Sequence, residues 1–147
     1  INHPWALRKS ISDLTKVYKG VKIDKVVAVE ARGFVFGGAL AYKLGAGLVL
    51  VRKKGKLPFK TVSASYSLEY GVNELEMHAD AVNKGENVLI VDDLLATGGT
   101  IEAVIRLLDK FKAKIKCIAC VIELPDLKGR EKLKKYPVTS LVKIEGA

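Results

Sequence analysis

The amino-acid sequence predicts an α/β fold, a doubly wound and mainly parallel five-stranded sheet that carries a flexible hairpin lid. Short apolar runs rich in β-branched residues alternate with amphipathic helical patterns, which is typical of parallel sheets covered by helices. Several of these runs end in charged residues or glycine, as at the carboxyl edge of such a sheet, where ligands bind. One polar, β-prone stretch, residues 61–80, breaks the alternation and predicts a hairpin that closes over a site.

Composition indicates one soluble globular domain spanning residues 1–147, with a hydrophobic content of 49%. The net charge of +9 at pH 7 is spread along the chain, so we expect no nucleic-acid partner, and a polyanionic small substrate would account for part of the charge. No apolar run approaches the roughly 20 residues of a membrane span. We therefore expect no membrane partner and a cytoplasmic protein, although the chain starts at Ile1 and a targeting segment could precede it.

The predicted elements follow one another in βα order after a first packing helix. That helix covers Pro4–Tyr18, because apolar residues recur there at helical spacing, and a second helix is expected at about residues 36–44. Strands are predicted at residues 26–29, 48–51, 88–91, 114–123 and 138–144. A short basic helix is predicted at residues 126–136.

The most informative stretch is VLIVDDLLATGGT, residues 88–100, in which a buried-strand run ends in Asp92 and Asp93. Small or hydroxylated residues follow: Ala96, Thr97, Gly98, Gly99 and Thr100. A helical apolar pattern then begins at Ile101. Unpaired N–H groups in the first turn of a helix bind phosphate, whereas paired acids accept hydrogen bonds from vicinal hydroxyls. The stretch therefore predicts a sugar-phosphate site.

Other interpretations of this stretch are weaker. It is not a Walker loop, because the Gly-Lys-Thr ending is absent. A tight strand-to-helix turn with solvated acids would explain an isolated acidic pair. It does not explain the ordered combination of strand, acids, small-residue loop and helix.

Two further strand ends supply cations to the same edge of the sheet. In EARGF, residues 30–34, the planar fork of Arg32 could clamp a diphosphate. In RKKGKLP, residues 52–58, four cations within five positions favour electrostatic steering and stabilisation of a leaving group. A turn with a surface ion pair and a solvated loop, respectively, remain open alternatives on charge and spacing alone.

The two cysteines and two histidines predict no redox or metal site built by the protein. Cys117 and Cys120 form a CxxC, but they lie in a strand-like run, where positions three apart point to opposite faces. We therefore expect two buried free thiols. His3 and His78 alone are too few for a metal cage.

The sequence VLIVDDLLATGGT resembles the phosphoribosyl-diphosphate (PRPP) binding motif of type I phosphoribosyltransferases, and its LLATGGT spelling resembles the adenine-specific branch. The resemblance extends from about His3 to Ile144. It implies that residues 96–100 take the 5′-phosphate of PRPP and that Asp92 and Asp93 take the ribose hydroxyls.

The resemblance also assigns the remaining site residues. EARGF resembles the diphosphate loop of the family, so Ala31 and Arg32 would contact diphosphate. In the family the backbone of this loop is strained, often by a cis peptide bond. RKKGKLP resembles the second diphosphate segment, with Arg52 and Lys56 as contacts. SASYSLEYG resembles the flexible catalytic loop of the adenine branch: Ser65, Tyr66 and Tyr70 would belong to the lid, and Glu69 would approach the purine as the proton-handling group.

The activity that the resemblance implies is the transfer of the phosphoribosyl group of PRPP to adenine, which gives AMP and diphosphate. It implies Mg²⁺ held mainly by PRPP and water, a homodimer, and catalytic roles for Arg32, Arg52 and Glu69. Members of the family begin with a segment that forms a hood over the base, and the resemblance leads us to expect that the given sequence starts just after it. One alternative is a hypoxanthine-guanine or orotate transferase, which is disfavoured because the oxopurine enzymes place an acid at the position of Ala96. The other alternative is a non-catalytic PRPP-sensing regulator.

Overall fold

The fold is known from a computed structural model, which describes residues 1–68 and 71–146. Its elements, in chain order, are α1 (Pro4–Tyr18), β1 (Lys25–Val29), α2 (Gly33–Leu44), β2 (Gly47–Lys53), β3 (Thr61–Leu68), β4 (Gly71–His78), β5 (Asn87–Leu95), α3 (Gly99–Lys110), β6 (Lys114–Glu123) and β7 (Val138–Lys143). Two 3-10 turns, Pro125–Leu127 and Gly129–Leu133, connect β6 to β7. Within the described ranges, no helix is long and apolar enough to cross a membrane.

The strands form one sheet in the order β3-β4-β2-β1-β5-β6-β7. Five neighbouring strands, in the spatial order β2-β1-β5-β6-β7, pair in parallel, which confirms the predicted doubly wound α/β class. The sheet nevertheless has seven strands and not five, because the hairpin of β3 and β4 joins it. The junction is a short antiparallel pairing in which Arg52 and Lys53 lie opposite Glu76 and Leu75.

Each face of the sheet has its own core. Val27, Val29, Val88 and Ile90 lie in the cluster that includes the apolar face of α3, whereas alternate residues of the same strands lie in the cluster with α1 and α2. This is the layer structure expected when parallel strands are buried on both sides.

The predicted buried thiols are confirmed. Cys117 and Cys120 are free, and they belong to the clusters on opposite faces of the sheet. Burial raises the pKa of the Cys117 thiol to about 11 and also raises the pKa of Cys120. Both thiols therefore stay protonated at neutral pH and act as packing groups.

The predicted helix over residues 126–136 is wrong. The chain there forms two 3-10 turns separated by Lys128, which has a left-handed backbone with a φ of +53°. A helix cannot continue through that conformation. Gly129, the next residue, is buried in close contact with the backbone of Ala96 and Gly98, and this tertiary contact overrides the local sequence preference.

Candidate active site

A cleft of about 240 Å³ lies at the carboxyl ends of β1 and β5, in front of the first turn of α3. All seven residues that the sequence assigned to phosphate and ribose line it. The lining residues are Val29, Glu30, Arg32, Lys53, Tyr66, Leu75, Asp92, Asp93, Leu94, Leu95, Ala96, Thr97, Gly98, Gly99, Thr100 and Ile101. The cleft is therefore the candidate site for the predicted ligand.

The strand-to-helix junction forms one wall of this cleft. Strand β5 ends at Leu95, the loop of residues 96–98 follows, and α3 begins at Gly99. Gly98 is the N-cap residue and has a φ of +80°, a conformation that a residue with a side chain rarely adopts. Because Gly98, Gly99 and Thr100 all line the cleft, the N-terminal end of α3 faces it. The free N–H groups and the helix dipole favour an anion there.

The two acids at the end of β5 have different environments. Asp92 is 8% exposed, and one of its carboxylate oxygens accepts the backbone N–H of Asp93 at 2.8 Å. Burial raises the pKa of Asp92 well above the usual value for aspartate. The Asp93 carboxylate instead forms an ion pair with the guanidinium of Arg32.

Arg32 follows β1 and precedes α2, and its side chain is largely exposed at the mouth of the cleft. The peptide bond between Glu30 and Ala31 is cis, as the resemblance implied. Gly33 packs tightly against the end of β5, because a Cβ there would lie 3.1 Å from an Asp92 carboxylate oxygen and 3.2 Å from the carbonyl of Val91. The two strand ends predicted to share the site therefore touch.

The basic loop after β2 is only partly directed at the cleft. Arg52 donates from Nε to the buried Glu30 carboxylate at 2.7 Å, and Lys56 lies 3.9 Å from the same carboxylate. Burial alone would raise the pKa of Glu30, but the hydrogen bonds from Arg52 and from the Lys53 N–H outweigh it and lower the pKa. Arg52 and Lys56 do not line the cleft in this structure, so their contact with diphosphate stays a prediction.

Lys53 lines the cleft, although the sequence interpretation assigned the contact to its neighbour Arg52. The alternation of side chains along β2 explains the difference. Val49 and Val51 are buried on the face of the sheet that packs against α3, and Lys53 is the next residue in that series. Counting in twos from the buried valines would have identified it.

Glu76 on β4 fixes the shape of the basic loop. Its buried carboxylate accepts the N–H groups of Lys56 and Leu57, each at 3.0 Å, and the hydroxyl of Thr61 at 3.1 Å. Burial would raise the pKa of Glu76, but these hydrogen bonds more than offset it, so the pKa is lowered. A carboxylate that stays ionised thus holds the loop beside the cleft.

The hairpin lies across α3 and brings Tyr66 to the cleft. Its carbonyl groups are tied to the helix: Arg106 donates to the carbonyl of Ser65 and Lys110 to that of Ser63, both at 2.6 Å. Ala64 and Leu75 are buried in the main core. The base of the hairpin is therefore part of the packed domain. Glu69 and Tyr70, two of the predicted lid and catalytic residues, lie outside the described residues.

The comparisons with known proteins agree with this geometry. A family model described as the phosphoribosyl transferase domain matches residues 6–146. A curated relative named adenine phosphoribosyltransferase, from Desulfosudis oleivorans, is 51% identical over 146 residues, covering 99% of this chain and 84% of the relative. A relative of the same name from Brucella anthropi is 54% identical over 143 residues, covering 96% of this chain and 79% of the relative.

Solved structures of proteins with the same name also superpose closely on this chain. A crystal structure of adenine phosphoribosyltransferase from Thermoanaerobacter pseudethanolicus superposes with a TM-score of 0.93 at 50% identity, covering 97% of this chain and 83% of that one. The Saccharomyces cerevisiae enzyme, complexed with an imino-altritol bisphosphate and adenine, superposes with a TM-score of 0.87 at 43% identity, covering 95% of this chain and 81% of that one.

Proposed function

Since the chain belongs to the phosphoribosyl transferase family, we propose that it transfers the phosphoribosyl group of PRPP to adenine and releases AMP and diphosphate. The observation that carries the proposal is the cleft in which an acid pair with one buried member, a small-residue loop and a helix N-terminus follow one another. Relatives that share this chain's sequence over nearly its whole length carry the name of that enzyme.

We assign the 5′-phosphate of PRPP to Ala96, Thr97, Gly98, Gly99 and Thr100. This is supported by the position of these residues on the cleft wall and by the affinity of helix N-termini for phosphate. The ribose hydroxyls would then donate to Asp92 and Asp93. In the free chain Asp93 is paired with Arg32, so ribose binding would replace one partner of Asp93 with another.

The diphosphate would bind between Arg32 and Lys53, the two cations that line the cleft. Ala31 contributes backbone at the same strand end. Arg52 and Lys56 now pair with Glu30, and they would contact the diphosphate only after those ion pairs break. Cations held near the departing diphosphate stabilise the negative charge that it acquires as the bond to the ribose breaks.

A Mg²⁺ ion fits this site as a companion of PRPP. In the part of the chain that the structure describes, no group of three or more His, Cys, Asp or Glu side chains could hold a metal ion. Mg²⁺ prefers phosphate oxygens and water with one or two carboxylates. We therefore propose that phosphate oxygens of PRPP and water would hold most of the coordination sphere of the ion, which would supply charge neutralisation on the diphosphate.

We propose Glu69 as the acid–base group toward adenine, with Ser65, Tyr66 and Tyr70 in a lid that closes over the bound substrates. Tyr66 supports the lid assignment because it already lines the cleft. A carboxyl group hydrogen-bonded to the purine can stabilise the tautomer in which N9 is nucleophilic. Arg32 and Arg52 complete the catalytic set by charge stabilisation.

The test of the function is AMP formation from adenine and PRPP with Mg²⁺, measured beside hypoxanthine, guanine and orotate at equal concentration. We expect a kcat/KM for adenine that exceeds that for each other base by at least about tenfold, a difference of roughly 1.4 kcal/mol in transition-state binding. Turnover of an oxopurine in preference to adenine would contradict the base assignment. Absence of turnover with every base, together with intact PRPP binding, would favour a regulator.

We further propose a homodimer in a reducing, cytoplasmic compartment. Phe59, Tyr42 and Trp5 are large apolar side chains exposed to solvent, and a subunit interface that covered any of them would gain from their burial. Both thiols are free and buried, as is usual in the cytoplasm. Light scattering coupled to gel filtration tests the oligomeric state, and a monomer at micromolar concentration would contradict it.

A further inference from the structure

The first ten residues of the connection between β6 and β7, residues 124–133, have no role in the proposed function. It leaves β6 at Leu124, whose N–H donates to the carbonyl of Leu95 at 2.9 Å. It then passes behind the loop of residues 96–98 and ends at Leu133, which is fully buried in the core cluster that contains α3. We call residues 124–133 the brace.

The brace and the phosphate loop touch backbone to backbone. A Cβ on Gly129 would lie 2.1 Å from the carbonyl oxygen of Ala96 and 2.9 Å from the nitrogen of Gly98. Conversely, a Cβ on Gly98 would lie 2.7 Å from the carbonyl oxygen of Gly129. Because neither glycine has room for a methyl group, the back of the loop is in direct contact with the main chain of the brace.

An ion-pair network anchors the brace beside this contact. Arg130 donates from Nε and Nη2 to the two carboxylate oxygens of Glu123, and from Nη1 to the carbonyl of Val138 at 2.7 Å. The hydroxyl of Ser140 also donates to Glu123. The Arg130 hydrogen bonds lower the pKa of the buried Glu123 to about 2. Glu123 is paired in register with Leu95, so the anchor lies next to the residue that precedes the loop.

We propose that the brace is a positioning element for the 5′-phosphate loop, with Gly129 and Arg130 as positioning residues that do not themselves touch substrate. This inference rests on the proposed function. A loop that binds phosphate through backbone N–H groups depends on where those groups point, and the ligand contacts it only from the front. Gly129 holds the phosphate loop in position from the side opposite the ligand. The bidentate ion pair of Arg130 with Glu123 in turn holds Gly129 in position.

The experiment compares Gly129→Ala and Arg130→Lys with the parent chain by calorimetric titration. The probes are PRPP and AMP, which carry a 5′-phosphate, and Mg²⁺-diphosphate, which does not. Gly38→Ala is the matched control, because the nearest atom to a Cβ there is 3.9 Å away. Thermal unfolding of each variant is measured in parallel.

For Gly129→Ala we expect PRPP and AMP to bind at least about tenfold more weakly, the factor that corresponds to one lost hydrogen bond to a charged group, while diphosphate binds as before. Arg130→Lys should weaken the binding of PRPP and AMP by a smaller factor, and Gly38→Ala should leave the affinity for all three ligands unchanged. A lowered Tm with unchanged affinities, or an equal loss for diphosphate, would overturn the inference. A parent chain that binds neither PRPP nor AMP would instead refute the proposed function.

Discussion

At the scale of single residues, the cleft combines a buried acid, Asp92, with a neighbouring ion pair between Arg32 and Asp93. Asp92 loses water on folding and gains only the backbone N–H of Asp93, so its ionised form is disfavoured and its pKa is raised. Arg32 and Asp93 neutralise each other beside it. A ligand with hydroxyl donors and an anionic group would satisfy all three side chains. The free site is therefore less stable than it would be with uncharged groups, which is common where function selects the residues.

We expect Asp92→Asn to stabilise the ligand-free chain and to weaken ribose-dependent binding. The folded state binds the Asp92 proton more tightly than the unfolded state, so this group reduces stability as the pH rises above the ordinary aspartate pKa of about 3.9. The variant's Tm should exceed the parent's at pH 7, by roughly 2–4 °C for each kcal/mol relieved, and the difference should vanish near pH 3. Thermal unfolding across this pH range measures it.

Asp93→Asn is the control, because it breaks the ion pair with Arg32 and should bring no stabilisation. Both variants should bind PRPP more weakly while diphosphate affinity is little altered or improved. A Tm for Asp92→Asn below that of the parent at neutral pH would show that the buried carboxylate contributes to stability.

The second residue-scale prediction concerns Glu69. If its carboxyl group handles the purine proton, Glu69→Gln should lower kcat by about 10²- to 10⁴-fold, the usual span for a positioned acid or base, with PRPP affinity near that of the parent. Steady-state kinetics with adenine and direct PRPP titration test both parts. Glu74→Gln on the same hairpin is the control, since Glu74 pairs with Lys54 at 2.5 Å. Loss of PRPP affinity with kcat preserved would assign Glu69 to the structure of the lid.

At the scale of elements, the junction of strand, loop and helix was predictable because its determinants are local. Asp92 and Asp93 end a buried run, and the glycines precede a helix with a clear apolar face. The turns after β6 were not predictable, because Lys128 adopts its left-handed backbone beside a contact between Gly129 and Ala96, which are distant in sequence. The pairing of Arg52 with Glu76, which adds the hairpin to the sheet, is equally non-local.

The element-scale prediction concerns the docking of α2 on the sheet. Gly37 packs so closely on β1 that a Cβ would lie 2.4 Å from the Cβ of Ala28. Gly37→Ala should therefore force the helix outward at a cost of about 1–3 kcal/mol, or roughly 2–12 °C in Tm. At Gly38, one residue along the same helix, a Cβ would meet only Leu48, at the ordinary contact distance of 3.9 Å, so Gly38→Ala should be neutral or slightly stabilising. An unchanged Tm for Gly37→Ala would mean that α2 adjusts freely.

The docking of α2 also bears on the site, because Arg32 immediately precedes this helix. A shift of α2 should move Arg32 away from Asp93 and lower diphosphate affinity, whereas a purely local adjustment would leave it unchanged. Titration of Gly37→Ala with Mg²⁺-diphosphate distinguishes these results.

At the scale of the whole molecule, the parallel sheet collects the ends of several strands at one edge. Helices cover its two faces, so the carboxyl edge is where charged groups from distant parts of the sequence meet without burial on all sides. The net charge of +9 adds a diffuse positive field to this geometry. If the whole surface attracts a polyanion, the position of a removed positive charge should matter little. If the cleft cations attract it, only charges in the cleft should matter.

We expect the cleft cations to dominate, and Lys53 tests this. Lys53 lines the cleft, whereas Lys114 begins β6 at the opposite, amino edge of the sheet and is also exposed. Lys53→Gln and Lys114→Gln each remove one positive charge, so they change the net charge equally. Lys53→Gln should weaken PRPP binding roughly tenfold, the effect of losing one charge-assisted hydrogen bond, and should reduce its dependence on salt. Lys114→Gln should leave the PRPP affinity and its salt dependence unchanged.

Titrations at about 0.1 M and 1 M salt, where the screening length falls from about 10 Å to about 3 Å, supply the comparison. Equal losses for the two variants would mean that the field of the whole chain, and not the cleft, recruits the substrate.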